Sequence, residues 1–372
     1  MQAFLRSVFR QIVCKRLPLK VLARGKNRMS EPNLNPEKAP TIRDVAKLAQ
    51  VSVATVSRVL NGTAKVSQKA RDAVLNAQRE LGFYLNANAR ALAQKDSEII
   101  GVLVSEVSDP YFGVMVRSCE EVAHENGKAL LVAQGFHDPV REQRAIENLL
   151  SHQCSGLVIH ALAIPDRVLA RYMQDFSYMV IINRILPGFE DRCVNINNFQ
   201  GMYLAVSTLI KNGHRKIAFI NSSHHIVDAS ERLAGYLCAL RDNNLEVNER
   251  IILSELPLLE GGARAAETLL KYRGQFTAVA AYNDALAASC MASFINAGIK
   301  VPEEVSFIGF DNLFLSSCLN PALTTITNPV ADMGASATRL SLALYKHDYS
   351  FKLPDFLTIL INRKSVRNLN LG

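Results

Sequence analysis

Polar side chains that could bind a sugar recur beyond residue 100, most of them directly after a short apolar run. Carboxylates, amides and guanidinium groups form paired hydrogen bonds with hydroxyls, and an aromatic ring packs against the apolar face of a sugar. Any one of these residues could instead be a helix cap or a loop residue, so only the set favours a binding site. The predicted ligand contacts are Asp109, Phe112, His160, Arg184, Arg232, Asn283 and Asp311.

A second set of residues with recognisable chemistry lies near the N-terminus, on the outer face of one predicted helix. Arginine can form two hydrogen bonds with guanine, and small apolar side chains pack on a thymine methyl group. Serine and threonine hydroxyls suit phosphate oxygens. The predicted DNA contacts here are Ser52, Val53, Ala54, Thr55, Ser57, Arg58 and Asn61. Helical periodicity alone would fit an ordinary helical bundle equally well.

The motifs of common enzyme classes are missing from the sequence. It has no phosphate-binding Walker loop, no G-x-G-x-x-G after the first predicted strand, no H-E-x-x-H and no G-x-S-x-G. The seven cysteines are scattered and form no C-x-x-C pair, and His224 with His225 is interpreted as a polar loop. We therefore expect no catalytic residue, no metal site and no cofactor.

Three short helices are predicted between residues 41 and 82. Thr41 and Asp44 have the spacing of a capping box that begins the first helix, and Ser52 is a cap for the second. Ser67 caps the third helix, which ends at Gly82. Two helices joined by a three-residue turn and followed by a third predict a helix-turn-helix unit.

The positive charge of the chain is concentrated at its N-terminal end. The formal net charge is +8, with nine Lys and Arg against two acids in residues 1–40 and nine against four in residues 41–97, so the remainder is acidic. This distribution predicts that the N-terminal part meets a polyanion and that the body does not. A solvated basic tail is the alternative for residues 1–40, which we interpret as a flexible leader with Met29 as an alternative start.

The rest of the chain alternates strand-like apolar runs with amphipathic segments of helix length. This pattern predicts parallel, doubly wound sheets, and the number of repeats is too large for one sheet. We expect a two-lobed core over residues 98–372. Its first lobe comprises about 98–196 and 327–355, and its second about 197–326 and 356–372. A ligand of such sheets binds at the carboxyl ends of the strands, between the lobes.

Residues 41–61, TIRDVAKLAQVSVATVSRVLN, closely resemble the signature of the LacI/GalR family of repressors. Further strings are similar to the galactose-responsive members of that family: VSDPYFG at 107–113, INRILPGFE at 182–190, AYND at 281–284 and IGFD at 308–311. The resemblance extends from Thr41 to about Val366. It implies a helix-turn-helix domain over 41–85, a hinge over 86–97 and a core like that of periplasmic binding proteins.

The same resemblance implies roles for the predicted ligand contacts. Arg232 and Asp311 would bind sugar hydroxyls, Asn283 would assist from the second lobe, and Phe112 with His160 would face the ligand from the first. The implied inducer is D-galactose or a close aldohexose. Gln50, where relatives commonly have glycine, departs from the pattern, as do Asn197, Asn198 and Asn312, where relatives often have aspartate.

By resemblance, residues 86–97 match the family's hinge helix, which folds on DNA and inserts a leucine into the minor groove. Leu92 occupies that position, and Asn86 and Arg90 are the other DNA contacts predicted in this segment. Leucine is one of the side chains that kink DNA by wedging open a base step. An ordinary linker helix packed on its neighbours is the alternative.

The resemblance implies a homodimer that binds a near-palindromic operator in the cytoplasm and is released by sugar. No membrane partner is expected, because the longest apolar runs are far shorter than the ~20 residues that span a bilayer. Three alternatives stay open: a related regulator that responds to another sugar or small metabolite, a periplasmic sugar receptor, and a sugar-modifying enzyme of Rossmann type. The receptor is disfavoured by the N-terminal domain, and the enzyme by the missing cofactor loop.

Overall fold

The computed structural model describes residues 40–61, 66–83 and 97–371. These residues fall into two units, Met1–Leu85 and Asn86–Gly372. The predictions for residues 1–39 and for Asn86, Arg90 and Leu92 lie outside the described residues.

Helices make up the described part of the first unit, and each begins where the capping residues predict. The Asp44 carboxylate accepts hydrogen bonds from the Thr41 amide (2.8 Å) and hydroxyl (2.6 Å). The Ser67 hydroxyl accepts from the Ala70 amide, and the third helix ends at Gly82 in the left-handed conformation. The helices are α1 (Ile42–Leu48), α2 (Val53–Asn61) and α3 (Gln68–Leu81).

A small apolar core holds these helices together. Val45 of α1, Val56 of α2 and Val74 of α3 are each completely buried. The turn between α1 and α2 contains Gln50 at φ +54°, a conformation that glycine adopts freely. A side chain at this angle costs about 1–2 kcal/mol, which the packing of the core offsets.

The first sheet of the second unit has five parallel strands in the order β2-β1-β3-β4-β5. Val102 and Val104 belong to the apolar cluster on the α4 and α12 face, whereas Leu103 packs on the α5 and α6 face. The strands are β1 (Ile99–Val104), β2 (Ala129–Gln134), β3 (Leu157–Ile159), β4 (Met179–Ile182) and β5 (Cys193–Val194). The helices on this sheet are α4 (Pro110–Glu125), α5 (Pro139–Ser151), α6 (Asp166–Asp175) and α12 (Val330–Tyr345).

The second sheet has six strands in the order β11-β10-β9-β8-β6-β7. Helices α7 and α8 cover one face, and α9 and α10 cover the other. The strands are β6 (Ile217–Ser222), β7 (Ile252–Glu255), β8 (Ala278–Ala281), β9 (Ser306–Asp311), β10 (Thr324–Thr327) and β11 (Leu360–Ile361). The helices are α7 (Asn198–Lys211), α8 (Val227–Asp242), α9 (Leu259–Leu270), α10 (Asp284–Asn296) and α11 (Phe314–Cys318).

The predicted architecture of two doubly wound sheets is confirmed, with one difference in strand direction. Strand β11 runs antiparallel to β10 at the edge of the second sheet, whereas a fully parallel sheet was expected. The chain passes between the sheets through residues 195–197, 328–329 and 346–359, so neither lobe is one continuous segment. Because every parallel strand ends toward the other lobe, the loops that follow these strands line the space between the lobes.

Candidate functional site

Loops from both sheets enclose a cavity between the two lobes. In the first lobe the lining residues follow β1, β2, β3 and β4 or lie in the first turn of α4. In the second lobe they end or follow strands β6 to β10 or lie in the first two turns of α8. The cavity volume is about 50 Å³, room for only a few water molecules. A sugar ring is several times larger, so its entry requires the lobes to separate or the lining side chains to move. The lining comprises Asp109, Tyr111, Phe112, His137, His160, Asn183, His224, Asp228, Arg232, Pro257, Tyr282, Asn283, Asp311 and Asn328.

Arg232 of α8 is the cation of this cavity and is held from several directions. Its Nε donates to Asn198 Oδ1 (3.0 Å), and its Nη1 donates to the Tyr282 carbonyl (2.6 Å). The guanidinium carbon lies 3.8 Å from the centre of the Phe310 ring. The remaining nitrogen, Nη2, lies 3.7 Å from Asp311 Oδ1. A planar cation fixed in this way is preorganised for a ligand hydroxyl.

Asp311 ends β9 in an unusual environment. Its backbone has φ +105°, which is strained for any residue except glycine, and backbone strain concentrates at functional sites. The carboxylate accepts a hydrogen bond from Asn328 Nδ2 (3.1 Å). Burial raises its pKa to about 7, although Arg232 works in the opposite direction. The carboxyl group is therefore poised to change its ionisation near neutral pH.

Tyr111 and Asn183 of the first lobe line the cavity near Arg232 and Asp311 of the second lobe. Asn183 Nδ2 donates to the Tyr111 hydroxyl (2.7 Å), and Tyr111 interacts electrostatically with Asp311 and Arg232. Burial raises the pKa of Tyr111 above its usual range, so the phenol stays protonated. Asn183 belongs to the string INRILPGFE, whereas Asn328 was missed although it directly follows β10. This end of the cavity therefore combines residues of both lobes.

Asn283 and Asp109 line the cavity and also cap helices. Asn283 Oδ1 accepts from the Leu286 amide at the start of α10, and its Nδ2 donates to the Pro257 carbonyl (2.9 Å). Asp109 Oδ1 accepts from the Tyr111 amide at the start of α4. The sequence left open whether such residues cap a helix or contact a ligand. Asn283 and Asp109 can do both, because each caps its helix at the cavity wall.

Arg184 does not line the cavity, which corrects the expectation that it contacts the ligand. Its Nη1 donates to the carbonyls of Ala161 and Ile164, both at 2.9 Å, and its Nη2 pairs with Asp166. Because every one of these partners lies in the loop and helix that follow His160, Arg184 braces that segment from outside.

Glu142 braces the same segment from another side. Its carboxylate accepts hydrogen bonds from the amides of Leu162, Ala163 and Ile164 at distances from 2.7 to 3.2 Å. Burial raises the pKa of Glu142, while these amides lower it. Sequence analysis missed this residue because a glutamate inside an amphipathic helix has the pattern of a solvent-exposed position.

A row of aromatic rings follows the first lobe side of the cavity and reaches the second lobe. Neighbouring ring centres lie 5.2 Å apart for Tyr111 and Phe112, and 4.7 Å apart for Phe112 and His160. The row continues to His137 at 5.7 Å and to His224 at 4.6 Å. His224 was interpreted from the sequence as part of a polar loop. His224 does lie in a loop, and it also lines the cavity, whereas its neighbour His225 is exposed.

Several buried polar atoms around the cavity have no hydrogen-bond partner. Such atoms are rare in folded proteins and mark a place where a ligand or water completes the bonding. Among the described residues, those that line the cavity are His137 Nδ1, His160 Nδ1, His224 Nδ1, Asn183 Oδ1 and Asn328 Oδ1. In the same part of the chain, no group of His, Cys, Asp or Glu side chains is arranged to hold a metal ion.

The second helix of the N-terminal unit presents one face to solvent. Val53, Ala54 and Arg58 are exposed, and Ser57 is half-buried. The opposite face carries buried Val56 and Val59. Before this helix, the exposed Ser52 accepts a hydrogen bond from the Thr55 amide (3.1 Å). An exposed arginine among small side chains on a short helix can enter the major groove of DNA.

Two protein family models match the chain. The model of "Bacterial regulatory proteins, lacI family" matches residues 41–86, and that of "Periplasmic binding protein-like domain" matches residues 206–366. No helix within residues 40–61, 66–83 and 97–371 has both the length and the apolar character to cross a membrane.

Characterised regulators are similar over most of the chain. It is 47% identical over 304 residues to the HTH-type transcriptional regulator GalR of Escherichia coli, which covers 82% of this chain and 89% of the relative. It is 43% identical over 302 residues to the regulator GalS of Salmonella typhimurium, with coverage of 81% and 89%.

Solved structures agree with these relatives. The lac repressor dimer bound to operator and an anti-inducer superposes with a TM-score of 0.74 at 27% identity, covering 89% of this chain and 100% of that one. A sugar-binding regulator from Escherichia coli superposes with a TM-score of 0.66 at 30% identity, covering 73% and 99%. The chain therefore belongs to the LacI family of bacterial transcriptional regulators.

Proposed function

We propose that the protein is a repressor of sugar uptake and catabolism genes that releases its operator when D-galactose fills the cavity between the lobes. The observation that carries this proposal is the Arg232–Asp311 pair, fixed beside buried polar atoms that lack partners. The galactose assignment is supported by the four strings that resemble galactose-responsive members of the family and by the 47% identity to GalR. The protein acts by binding rather than by catalysis.

DNA recognition is assigned to residues 41–85 and to the hinge over 86–97. Arg58 reads a guanine in the major groove, with Val53, Ala54 and Ser57 on the bases around it. Ser52, Thr55 and Asn61 complete the contacts of the domain. From the hinge, Asn86 and Arg90 contact DNA, and Leu92 opens a base step in the minor groove.

Ligand binding is assigned to the core from residue 98 onward. Arg232 and Asp311 hold adjacent hydroxyls, Asn283 and Asp109 contact the sugar from the cavity wall, and Phe112 with His160 faces the sugar from the first lobe. Arg184 is not retained in this set, because its hydrogen bonds go to Ala161, Ile164 and Asp166, and none of these residues lines the cavity.

The coupling between the two sites requires two arrangements of the lobes. Two subunits form a homodimer, and each helix-turn-helix domain takes one half of a near-palindromic operator. Sugar stabilises a closed cleft that separates the two hinges, so operator affinity falls. Thermodynamic reciprocity then requires operator DNA to weaken sugar binding by the same factor. Because it must meet DNA, the protein works in the cytoplasm.

A different neutral sugar is the second candidate ligand. Another family member of known structure, CelR, was solved as a cellobiose complex and superposes with a TM-score of 0.63 at 27% identity. The cavity itself offers three carboxyl groups, Asp109, Asp228 and Asp311, against the one guanidinium of Arg232. This balance favours an uncharged ligand over an anionic one.

Fluorescence anisotropy with labelled operator DNA tests the proposed function. Operator affinity should fall in the presence of D-galactose, and Asp311→Ala should bind operator normally but respond to galactose only at about ten- to hundredfold higher concentration. Ile185→Ala, an exposed position outside the cavity, is the matched control. A chain that binds DNA but ignores every neutral sugar would refute the assignment of the ligand class.

A further inference from the structure

Three histidine side chains from different loops meet at one end of the cavity. His137 follows β2, His160 follows β3, and His224 follows β6 of the other lobe. The ring centres of His137 and His160 lie 5.7 Å apart, and those of His137 and His224 lie 4.6 Å apart. The contact between His137 and His224 joins the two lobes. We call these residues the histidine end of the cavity.

The strand order separates His137 and His224 from Asp311. In the second sheet, Asp311 and Asn328 close β9 and β10, whereas His224 follows β6 on the far side of β8. In the first sheet, His137 follows the edge strand β2. A sugar with a hydroxyl at Asp311 would therefore present hydroxyls farther along its ring to His137 and His224.

Each imidazole has a nitrogen available for a new hydrogen bond. The Nδ1 atoms of His137, His160 and His224 are buried and have no partner among the described residues. His160 is the most deeply placed, with 2% of its surface exposed. A buried polar atom without a partner costs free energy that a ligand recovers by bonding to it.

The chemistry of these nitrogens selects among ligands. Burial lowers the pKa of all three histidines, that of His137 to about 4, so the rings are neutral at neutral pH. A neutral imidazole offers one donor and one acceptor, as a hydroxyl does. An anionic ligand group is disfavoured because the Asp228 carboxylate lies close enough to interact electrostatically with His224. An anion bound at His224 would be repelled by this carboxylate. The described part of the chain holds no side-chain group arranged for a metal ion.

We propose that His137, His160 and His224 read the hydroxyls on the edge of the sugar that points away from Asp311. This inference rests on the proposed function of the cavity as a sugar site and adds residues that set its specificity. His137 and His224 belong to different lobes, so a hydroxyl bonded to both also holds the lobes together. The histidine end thereby links recognition of the sugar to closure of the cleft.

Isothermal titration with D-galactose and its single deoxy derivatives tests this role. The variants are His137→Phe and His224→Phe, which keep a ring and remove its nitrogens. Each should bind D-galactose about two- to tenfold more weakly than the natural chain, the value of a neutral hydrogen bond. One deoxy sugar lacks the hydroxyl that the substituted histidine bonds. The variant and the natural chain should bind this sugar equally, because neither can form the hydrogen bond to the histidine.

His225→Phe is the matched control, since His225 is adjacent in sequence but exposed. Operator affinity without sugar reports folding, and His137→Ala and His224→Ala replace the phenylalanine variants if that affinity is lost. An equal loss for every deoxy sugar, or no loss at all, would overturn the proposal. If the natural chain binds no neutral sugar, the proposed function itself fails, which is a distinct result.

Discussion

The ionisation of Asp311 should make sugar affinity depend on pH near neutrality. Its pKa is raised to about 7 by burial, so the carboxyl group is about nine-tenths protonated at pH 6 and about nine-tenths ionised at pH 8. Sugar hydroxyls donate to the ionised form, which the ligand therefore selects. If only that form binds, affinity for D-galactose rises about tenfold from pH 6 to pH 8 and is level above pH 8.

Titration calorimetry from pH 5.5 to 8.5 measures this profile, and buffers of different ionisation enthalpy reveal the proton released on binding. Asp311→Asn is the control, because it removes the titrating group and can still accept the hydrogen bond from Asn328. Asp284 has a pKa raised to about 8 by burial, but its oxygens accept from Thr325 and the Leu313 amide. A slope that persists in Asp311→Asn would come from another titratable group, such as Asp284. A flat profile for the natural chain would refute the role of the Asp311 carboxylate.

Three further predictions concern DNA recognition and stability. Arg58→Ala should weaken operator binding by about 1–3 kcal/mol and leave binding to unrelated DNA nearly unchanged in anisotropy titrations; equal losses would mean that it contacts only phosphate. Leu92→Ala should reduce DNA bending in a circular-permutation gel without changing sugar affinity, and unchanged bending would remove the wedge role. Gly235→Ala should lower the free energy of unfolding in urea by about 1–3 kcal/mol, because its Cβ would lie 2.4 Å from the Phe199 carbonyl oxygen. Gly113→Ala meets nothing within 4 Å and is the control, so similar losses for both would contradict the packing explanation.

The alternation of strands and helices could be predicted because each long element carries its own periodicity. The runs at β1 and β4 are continuously apolar over the whole of each strand, Ile99–Val104 and Met179–Ile182. Strands β5 and β11 contain two residues each, too few for a pattern. The direction of β11 depends on how residues 346–359 return to the second sheet, which no local pattern encodes.

Within the cavity, the sequence identified several contributing loops but not those that follow β2 and β10, and it did not always identify the contributing residue of a loop. Asn183 and Arg184 are neighbours after β4, and the left-handed backbone of Asn183, at φ +62°, turns the amide into the cavity. Arg184 then points to the loop behind His160. The backbone conformation of Asn183 therefore determines which of the two side chains lines the cavity. Asparagine has only a weak preference for a positive φ, so the sequence does not reveal this conformation. His137 and His224 come from loops 87 positions apart, so only the packed lobes bring them together.

The three passages of the chain between the lobes set an order in which the molecule can be completed during synthesis. Helix α12 covers β3 and β4 of the first sheet, yet it follows the second lobe in the chain and ends at Tyr345. The ribosome therefore releases all five strands of the first sheet long before their covering helix exists. Until then, apolar positions such as Val158 and Val180 have no layer above them. The lobe that begins to emerge first thus cannot complete its core until most of the second lobe has been synthesised, and during that interval the nascent chain exposes an aggregation-prone surface.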